Sequence, residues 1–502
     1  MKEISYIIVQ AGGKGTRMEK LTKNKPKALV PVQNLPMLFH LFKNFPDKKF
    51  IVIGDYKYDV LKRYLQAFAK VDYTLVQGSG HTGTCAGLGI AMKAVPDDEP
   101  FMLIWSDLVL SDDFSLPKLD NNFIGIAKDF RCRWSYINGE LQEVPSETEG
   151  VAGCFIFQNK SAFHDIPDDG EFVRYLQGKE LPFLELPLIG THEYGLIEEY
   201  SRLPVCRCRP FNRITVKDNV IVKEGIDDQG KALAIRERAW YAKIADENFV
   251  NIPHVYSYEP LKMERIHGKN IYEYKNLHPM QKTAILKSLI GCLKKLHEKE
   301  SVPSDFASFE DAYIGKTIKR LEVVRNLVPF ANDPVVTVNG RACRNIFFHW
   351  DEVHENLEHF FPKKFKLLHG DCTFSNLMLR DVDLSPVLID PRGYFGTTEF
   401  YGDPAYDWAK LYYSVVGNYD QFNLKRFDLS INQHDVTLSI ASNNWEDMEK
   451  VMFELLSDEV SEHQIKLIHA IIWLSLTTYA WEDYDSICGA FYNGLYYLEE
   501  AL

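Results

Sequence analysis

Residues 6–18 read YIIVQAGGKGTRM, a short β-branched run followed at once by three glycines. Glycine lets the backbone approach a polyphosphate closely and present its N–H groups to it. Lys14 and Arg17 add positive charge where a departing pyrophosphate needs it. The stretch therefore predicts a buried strand that ends in a phosphate-binding loop. The alternative is an ordinary strand–helix turn with solvated cations.

The next stretch, residues 25–32, reads KPKALVPV and places Lys27 between prolines. Proline fixes the backbone in an extended form, which aims a neighbouring ammonium group in one direction. Four further strands are predicted, at Phe50–Ile53, Tyr73–Val76, Phe101–Trp105 and Phe123–Ala127. They alternate with helical stretches over residues 58–69 and 86–94. Such alternation predicts an α/β, doubly wound Rossmann-like domain with ligands at the carboxyl ends of its strands.

Both motifs together resemble the signature of the nucleotidyltransferases that join a phosphorylated sugar or choline to a nucleoside triphosphate. The resemblance implies in-line attack by an acceptor phosphate on the α-phosphorus, with Arg17 and Lys27 as catalytic residues. It implies that Asp107, after the strand Phe101–Trp105, binds Mg²⁺, and that Glu198 or Glu199 is a second metal ligand. It assigns nucleotide binding to Ala11, Gly12, Gly13, Lys14, Gly15, Gly83 and Thr84.

A second chemical motif lies far downstream, where residues 367–379 read LLHGDCTFSNLML and residues 387–393 read VLIDPRG. Kinase chemistry needs an Asp to orient the attacking hydroxyl and accept its proton. It also needs an Asn five residues later and a further Asp to hold Mg²⁺ on the ATP phosphates. Asp371, Asn376 and Asp390 have that order and spacing, so we predict Asp371 as catalytic and the other two as metal ligands.

The spelling of this motif resembles the aminoglycoside phosphotransferase/choline kinase family, whose later G-D-P-x-x-D element is matched by residues 402–407. The resemblance implies a two-lobed protein-kinase-like (α+β) domain. In it, Lys223 would reach the ATP phosphates, Glu237 would pair with Lys223, and Met263 would lie at the hinge that meets adenine. The sequence departs from the family at Pro391-Arg392, where an aromatic residue is commoner.

These patterns predict a nucleotidyltransferase domain over residues 1–205, a linker over 206–212 and a kinase-like domain over 213–502. The small lobe is expected over about 213–265 and the helical lobe over about 266–502. Nine cysteines without a C-x-x-C pair predict reduced thiols. The start MKEISYIIVQ leaves no room for a signal peptide, and no run is apolar enough for a membrane span, so a cytoplasmic protein without membrane insertion is expected.

The chain has 502 residues and a formal net charge of −13, which argues against a generic nucleic-acid binder. The expected partners are a small alcohol or sugar and its phosphate, and the sequence leaves open a homo-oligomer. The expected cofactor is Mg²⁺, with ATP and a second nucleoside triphosphate, CTP favoured, as substrates.

The leading interpretation is a bifunctional enzyme that phosphorylates a small alcohol and makes a CDP-choline-like donor for decorating a cell-surface polysaccharide or lipooligosaccharide. The aromatic residues Trp473, Tyr479, Trp481 and Tyr484 favour it, as candidates for a cation-binding box. One alternative is a sugar 1-kinase joined to a sugar-1-phosphate nucleotidyltransferase. Another is that one half is inactive and serves as a binding module.

Overall fold

The computed structural model describes residues 3–78, 80–179, 181–203 and 212–502. The chain divides into two compact units: Met1–Pro204 with Glu482–Asp485, and Val205–Trp481 with Ser486–Leu502. The predicted linker lies outside the described residues except for Asn212, so the domain bounds stay a prediction. None of the helices within the described ranges is long and apolar enough to cross a membrane. The seven cysteines in these ranges are buried free thiols, and Cys206 and Cys208 lie outside them.

The first unit is built on one mixed sheet. In the described part of the chain its main path runs through the strands Glu140–Gln142, Ser135–Ile137, Gly150–Phe157, Phe101–Trp105, Tyr6–Gln10, Lys49–Gly54 and Asp72–Gln77. The strand Phe123–Ala127 pairs with Gly150–Phe157 and with Leu184–Leu188. The last four strands of the path are parallel, and Gly150–Phe157 joins them antiparallel. The predicted Rossmann-like α/β domain is confirmed.

The helices of this unit are short. They are Met37–Asn44, Tyr58–Phe68, Leu88–Lys93, Phe172–Gln177 and Ile197–Ser201, with 3-10 turns at Thr16–Thr22, Lys27–Leu29 and Ser161–Phe163. Two further strand pairs lie off the main sheet: Pro31–Val32 with Leu35–Pro36, and Leu108–Val109 with His192–Glu193. The buried parallel strands are continuous apolar runs, as a sheet covered on both faces requires.

The register of the parallel strands gathers the loops at one edge. Gln10 and Trp105 are the last residues of neighbouring strands and lie opposite each other. The glycine turn after Gln10 and the segment Ser106–Asp107 therefore leave the sheet side by side. This is the edge at which such folds bind ligands.

The second unit begins with a four-stranded antiparallel sheet in the order Asn212–Lys217, Val220–Gly225, Leu261–Glu264, Val255–Tyr258. The helix Asp228–Asp246 follows the first hairpin of this sheet. Asp227 caps the N-terminus of the helix, and its side chain accepts a hydrogen bond from the Gly230 N–H at 2.7 Å. A sheet with one long helix is the small lobe expected of a kinase-like fold. The predicted protein-kinase-like class is confirmed.

Helices dominate the rest of the unit: Pro279–His297, Phe306–Glu310, Lys316–Val324, Trp350–Glu358, Pro404–Val415, Tyr419–Asn423, Glu449–Leu456, Glu462–Leu476 and Tyr484–Ala501. A π-helical turn, Asp311–Gly315, precedes Lys316–Val324. Shorter helical turns are Ile271–Glu273, Ile346–Phe348, Glu446–Met448 and Thr477–Ala480. One core cluster of the unit joins Trp240 of the small-lobe helix to Leu293, Phe374, Trp408 and Trp445 of the helical lobe.

The helical lobe also contains strands that the sequence analysis did not predict. Two of the sheets have three strands each: one is Gly268–Asn270, Leu377–Arg380 and Pro386–Leu388, and the other is Ser301–Pro303, Lys364–Leu367 and Tyr401–Gly402. A four-stranded sheet has the order Arg341–Arg344, Val335–Val338, Val436–Ile440, Phe427–Ile431. The strands Tyr394–Phe395 and Thr398–Glu399 form a pair. One of these hairpins has a readable signal, because Asn339 (φ 50°) and Gly340 (φ 78°) form its two-residue turn. An Asn-Gly pair with two positive φ angles is the preferred tight hairpin turn.

Candidate active sites

The glycine turn of the first unit is shaped to receive a lysine side chain. Gly15 has φ 66°, and a Cβ there would lie 3.0 Å from the Cβ of Lys27. Glycine is therefore required both by the backbone angle and by this close approach. A Cβ on Gly13 would meet no atom within 4 Å, so that part of the turn is open. The Ala11 N–H, by contrast, donates to the carbonyl of Ile53 at 2.9 Å and is not free for a phosphate.

Lys27 and Asp107 form an ion pair at the carboxyl edge of the sheet. Only 12% of the Lys27 side chain and 13% of the Asp107 side chain are exposed. Pro26 is extended immediately before Lys27, as expected. A Cβ on Gly195 would lie 3.5 Å from both Lys27 Nζ and Arg17 Nη2, so Gly195 leaves room for these two cations to converge. The structure thus brings together three of the predicted residues, Arg17, Lys27 and Asp107.

Glu193 is a carboxylate of this site that the sequence analysis missed. The two-residue strand His192–Glu193 pairs antiparallel with Leu108–Val109, and the Tyr194 N–H donates to the carbonyl of Asp107 at 3.0 Å. Burial raises the pKa of Glu193 to about 7; the charge of Asp107 adds to the rise, and Lys27 and Arg17 oppose it. Glu199 also raises the pKa of Glu193, but less than Asp107 does. Glu193 is therefore a better candidate than Glu198 or Glu199 for the second metal ligand.

The resemblance also implies that the loop around Gly83 and Thr84 recognises the nucleotide base, and in the structure this loop packs on a neighbouring segment. Gly83 has φ 89°, and a Cβ there would lie 2.2 Å from the carbonyl oxygen of Gly170. The Thr84 hydroxyl accepts from the Phe172 N–H at 2.8 Å, and the Thr84 carbonyl accepts from the Gln10 amide at 3.0 Å. Ser79 lies outside the described residues. The loop is fixed beside the end of the first strand, and its role in base binding stays a prediction.

In the second unit, five predicted residues line one cavity of about 380 Å³: Lys223, Glu237, Asp371, Asn376 and Asp390. Lys223 Nζ lies 2.8 Å from Glu237 Oε2 and 2.6 Å from Asp390 Oδ1. The Asn376 side-chain amide donates to Asp371 Oδ2 at 2.8 Å. Residues separated by up to 167 positions in the chain therefore line one cavity.

A buried carboxylate braces the loop that carries Asp371. Asp407 accepts hydrogen bonds from the N–H groups of His369 at 3.0 Å and Gly370 at 2.7 Å, and it lies 3.0 Å from His297 Nε2. Burial alone would raise the pKa of Asp407, but the hydrogen bond and charge of His297 hold it below its usual value. The His369 ring is hydrogen-bonded to the carbonyl of Ile389 at 2.8 Å. His369 therefore ties this loop to the segment of Ile389.

Met263 lies in the strand Leu261–Glu264, between Val220–Gly225 and Val255–Tyr258 in the small-lobe sheet. Its side chain is buried, and it is not among the residues that line the cavity. The assignment of Met263 to the hinge that meets adenine stays a prediction.

The donor sets of both sites fit Mg²⁺. The described residues contain no cluster of three or more His, Cys, Asp and Glu side chains. Mg²⁺ is usually bound by one or two carboxylates together with substrate phosphates, so pairs of oxygen ligands are what it requires. Asp107 with Glu193 supplies such a pair in the first unit, and Asn376 with Asp390 supplies one in the second.

Two family models match the chain. Residues 6–121 match the family described as nucleotidyl transferase, and residues 215–428 match the phosphotransferase enzyme family. The UTP–glucose-1-phosphate uridylyltransferase AglF of Haloferax volcanii is 34% identical over 110 residues, which are 21% of this chain and 44% of that protein. A glucose-1-phosphate thymidylyltransferase of Streptomyces griseus is 25% identical over 198 residues, 38% of this chain and 48% of that protein. The chain thus spans less than half the length of these curated relatives.

Solved structures that resemble the first unit include the CTP:phosphocholine cytidylyltransferase of Streptococcus pneumoniae. It is 19% identical, covers 40% of this chain and 98% of its own, and has a TM-score of 0.33. The inositol-1-phosphate CTP transferase of T. maritima is 13% identical, covers 40% of this chain and 93% of its own, and has a TM-score of 0.34. The family matches give the chain an N-terminal nucleotidyl transferase domain and a C-terminal phosphotransferase domain.

Proposed function

We propose that this chain, which carries a nucleotidyl transferase domain followed by a phosphotransferase domain, performs two group transfers in sequence on one small molecule. The second domain would move the γ-phosphoryl group of ATP to a hydroxyl of the acceptor. The first domain would couple that phosphate to a nucleoside triphosphate and release pyrophosphate. The observation that carries the proposal is the convergence of Lys223, Asp371, Asn376 and Asp390 in one cavity.

In the phosphotransferase domain, Asp371 orients the attacking hydroxyl and accepts its proton. Burial alone would raise the pKa of Asp371, but the charge of Lys410 and its hydrogen bond hold it below its usual value. The group is therefore ionised at neutral pH and can accept a hydrogen bond from the acceptor. Lys223 would bind the ATP phosphates from its place between Glu237 and Asp390. A Mg²⁺ ion held by Asn376 and Asp390 would neutralise phosphate charge.

In the nucleotidyl transferase domain, the residues need only position two substrates and balance their charge. Arg17, Lys27 and Lys14 would bind the departing pyrophosphate, while the acceptor phosphate attacks the α-phosphorus in line. Asp107 and Glu193 would hold a Mg²⁺ ion, which would neutralise phosphate charge during the transfer. Because Lys27 pairs with Asp107 in the described structure, a bound nucleotide must take over the charge of Lys27.

The identity of the product divides into two candidates. A CDP-choline-like donor, made with CTP for decorating a cell-surface polysaccharide or lipooligosaccharide, follows from the sequence resemblance. A nucleotide sugar is supported by the matched relatives, two of which are named for glucose 1-phosphate. Of the aromatic residues that favoured choline, Trp473 is fully buried among Tyr413, Phe422 and His469, whereas Tyr479 is partly exposed and lines the cavity.

The test is a screen for pyrophosphate release with Mg²⁺ that crosses the four nucleoside triphosphates with phosphocholine, glycerol phosphate and a panel of sugar 1-phosphates. A signal that depends on Asp107, measured with Asp107→Asn, identifies base and acceptor together. Silence of the folded protein across the panel, with ATP turnover intact, contradicts the nucleotidyl transfer step and favours an inactive first domain.

A further inference from the structure

The cavity that contains Asp371 also collects basic side chains that the sequence analysis did not single out. Four of them line it beyond the predicted residues: Lys316, Arg320, Arg392 and Lys410. Lys316 and Arg320 lie on one helix, Lys316–Val324, and Lys410 lies on Pro404–Val415. Arg392 comes two residues after Asp390, at the point where the motif departs from the commoner aromatic residue.

Three of these cations make their hydrogen bonds and ring contacts with neutral groups, while the charges of Asp311 and Asp371 act on Lys316 and Arg392 from farther away. Arg392 donates to the hydroxyl groups of Tyr406 at 2.7 Å and Tyr394 at 3.0 Å. Arg320 donates to the carbonyl of Ser475 at 2.6 Å, and Lys316 lies 5.6 Å from the ring centre of Tyr406. Within the described ranges, no carboxylate forms an ion pair with any of the three.

The carboxylates that line the cavity are engaged elsewhere. Glu237 and Asp390 pair with Lys223, and Asp371 lies 3.0 Å from Lys410. Asp420 accepts from the Ser375 N–H at 2.8 Å and from the Asn443 amide at 3.0 Å. The basic group of Lys316, Arg320 and Arg392, named here the cation cluster, therefore forms no ion pair with a carboxylate of the described residues, and only the more distant charges of Asp311 and Asp371 offset it.

Like charges held this close together oppose one another. Burial lowers the pKa of Lys316 well below its usual value, and the charges of Arg392, Arg320 and Lys410 lower it further. Placing uncompensated charge away from water is costly unless an opposite charge is supplied. A bound anion would supply it, and the planar fork of arginine matches the oxygens of a carboxylate or a phosphate.

The contacts of the two Asp371 oxygens help to place the cation cluster relative to ATP and to the acceptor. Oδ2 accepts from Asn376, on the side of Lys223 and Asp390, where ATP and metal are expected. Oδ1 faces Lys410, whose charge acts on Lys316. The acceptor hydroxyl must meet Asp371 from the side opposite the nucleotide. We assign the cation cluster to this acceptor side, because Lys316 and Arg320 lie on a helix of the helical lobe, whereas Lys223 lies on a strand of the small lobe.

We propose that the phosphoryl acceptor carries, besides its reacting hydroxyl, an anionic group that Arg392, Arg320 and Lys316 bind. This inference rests on the proposed kinase function and narrows its substrate class to hydroxy acids and phosphorylated alcohols or sugars. In the reaction, the hydroxyl oxygen bonds to the γ-phosphorus and the bond from that phosphorus to the β-phosphate oxygen breaks. ADP leaves, the hydroxyl proton passes to Asp371, and the anionic group is unchanged. A choline-like acceptor is disfavoured because its ammonium group would be repelled.

The first experiment compares acceptors that differ mainly in charge: glycerate, glycerol phosphate, glycerol and choline, then gluconate and glucose 6-phosphate against glucose. ADP formation by the full chain with MgATP is measured over the background transfer to water. Charge-assisted hydrogen bonds contribute about 1.5–3 kcal/mol each, so we expect kcat/KM for an anionic acceptor to exceed that for its neutral counterpart by roughly 10- to 100-fold. The glycerate and glycerol phosphate arms distinguish a carboxylate from a phosphate.

The outcomes separate this inference from the function on which it rests. If ATP is turned over and no anionic compound is phosphorylated faster than its neutral counterpart, or choline is preferred, the anionic acceptor is contradicted. If neither ATP turnover nor MgATP binding occurs, the kinase function itself fails. Calorimetric titration with the same anions then still tests the cation cluster, and binding no tighter than that of glycerol contradicts it.

A pair of variants localises the effect. Lys316→Met keeps the length of the side chain and removes its charge, so KM for the preferred anionic acceptor should rise at least about tenfold while KM for MgATP stays the same. Lys319→Met is the matched control, because Lys319 is on the same helix with 79% of its side chain exposed. Equal effects of the two variants, or a rise in KM for MgATP alone, would contradict the assignment.

Discussion

At the scale of single residues, the second site depends on how the two oxygens of Asp371 are divided. One accepts from Asn376 at 2.8 Å, and the other lies 3.0 Å from Lys410. The sequence spacing was enough to predict Asp371 and Asn376 together, because five residues on one short loop bring their side chains within reach. Lys410 could not be predicted in this way, since its place depends on how the helix Pro404–Val415 packs.

Asp371→Asn should reduce phosphoryl transfer at least about 100-fold, because the amide cannot accept the hydroxyl proton. Coupling of a supplied phosphorylated acceptor to the nucleotide should be unchanged. Both rates are measured on the same preparation, by ADP and by pyrophosphate release. Asp458→Asn, at an exposed position, is the control. Loss of both activities in folded Asp371→Asn would mean that the two sites are not independent.

Glu193→Gln should reduce nucleotidyl transfer roughly 100-fold and raise the Mg²⁺ concentration needed for half-maximal rate, because one of the two proposed carboxylate ligands becomes a neutral amide. Glu198→Gln should leave both quantities unchanged. A full rate for Glu193→Gln, or an equal loss for Glu198→Gln, would return the second metal ligand to the helix Ile197–Ser201.

At the scale of elements, several buried strands were predicted, but the buried eight-residue strand Gly150–Phe157 and the short strands were missed. The runs Phe101–Trp105 and Phe123–Ala127 were predicted with the bounds that the structure has, because continuous apolar β-branched runs mark buried strands. Glu193 was missed because a two-residue strand has no periodicity to read. The unpredicted hairpin of Val335–Val338 and Arg341–Arg344 did have a signal, the Asn339-Gly340 turn.

Gly83→Ala should destabilise the first unit by more than about 1 kcal/mol, because the new methyl group would meet the Gly170 carbonyl and the backbone has φ 89°. Gly89→Ala is the matched control on a nearby helix, where a Cβ would meet nothing within 4 Å. That change should be neutral or stabilising by about 0.5–1 kcal/mol. Thermal unfolding measures both, and equal effects would contradict the packing of this loop.

The helix Glu462–Leu476 should make stability depend on acid through His469. Burial lowers the pKa of His469 to about 3, and its Nε2 accepts from the Trp473 indole at 3.0 Å. In the unfolded chain His469 binds a proton near pH 6.5, whereas in the folded protein it stays neutral at that pH. The contribution of neutral His469 to the free energy of unfolding is therefore fully present above about pH 6.5. Below that pH the free energy of unfolding falls by up to about 1.4 kcal/mol per pH unit.

His469→Gln should lack this loss between pH 6.5 and 5, as measured by denaturant unfolding of the second unit. His463→Gln, an exposed position on the same helix, should retain the dependence of the unchanged protein. If His469→Gln loses stability with acid as steeply as the unchanged protein, the histidine is not buried in its neutral form.

At the scale of the whole molecule, the net charge of the chain does not predict the charge of its cavity. The formal net charge is −13, yet the cavity of the second unit contains three cations that form no ion pair with a carboxylate of the described residues. Composition argues against a polyanion-binding surface, but it carries no information about a pocket. The choline-like interpretation relied on aromatic residues, of which the fold places Trp473 in the core and Tyr479 at the cavity.

The central claim is that one acceptor passes through both sites in a fixed order. The most direct measurement is phosphorus NMR of the full chain with MgATP, CTP and the dephosphorylated form of the acceptor found in the pyrophosphate screen. We predict that a phosphomonoester forms first, that it is then replaced by a diphosphate diester with equimolar pyrophosphate, and that Asp371→Asn prevents both signals. A nucleotide-linked product that accumulates without the phosphomonoester, or in the absence of ATP, would contradict the account.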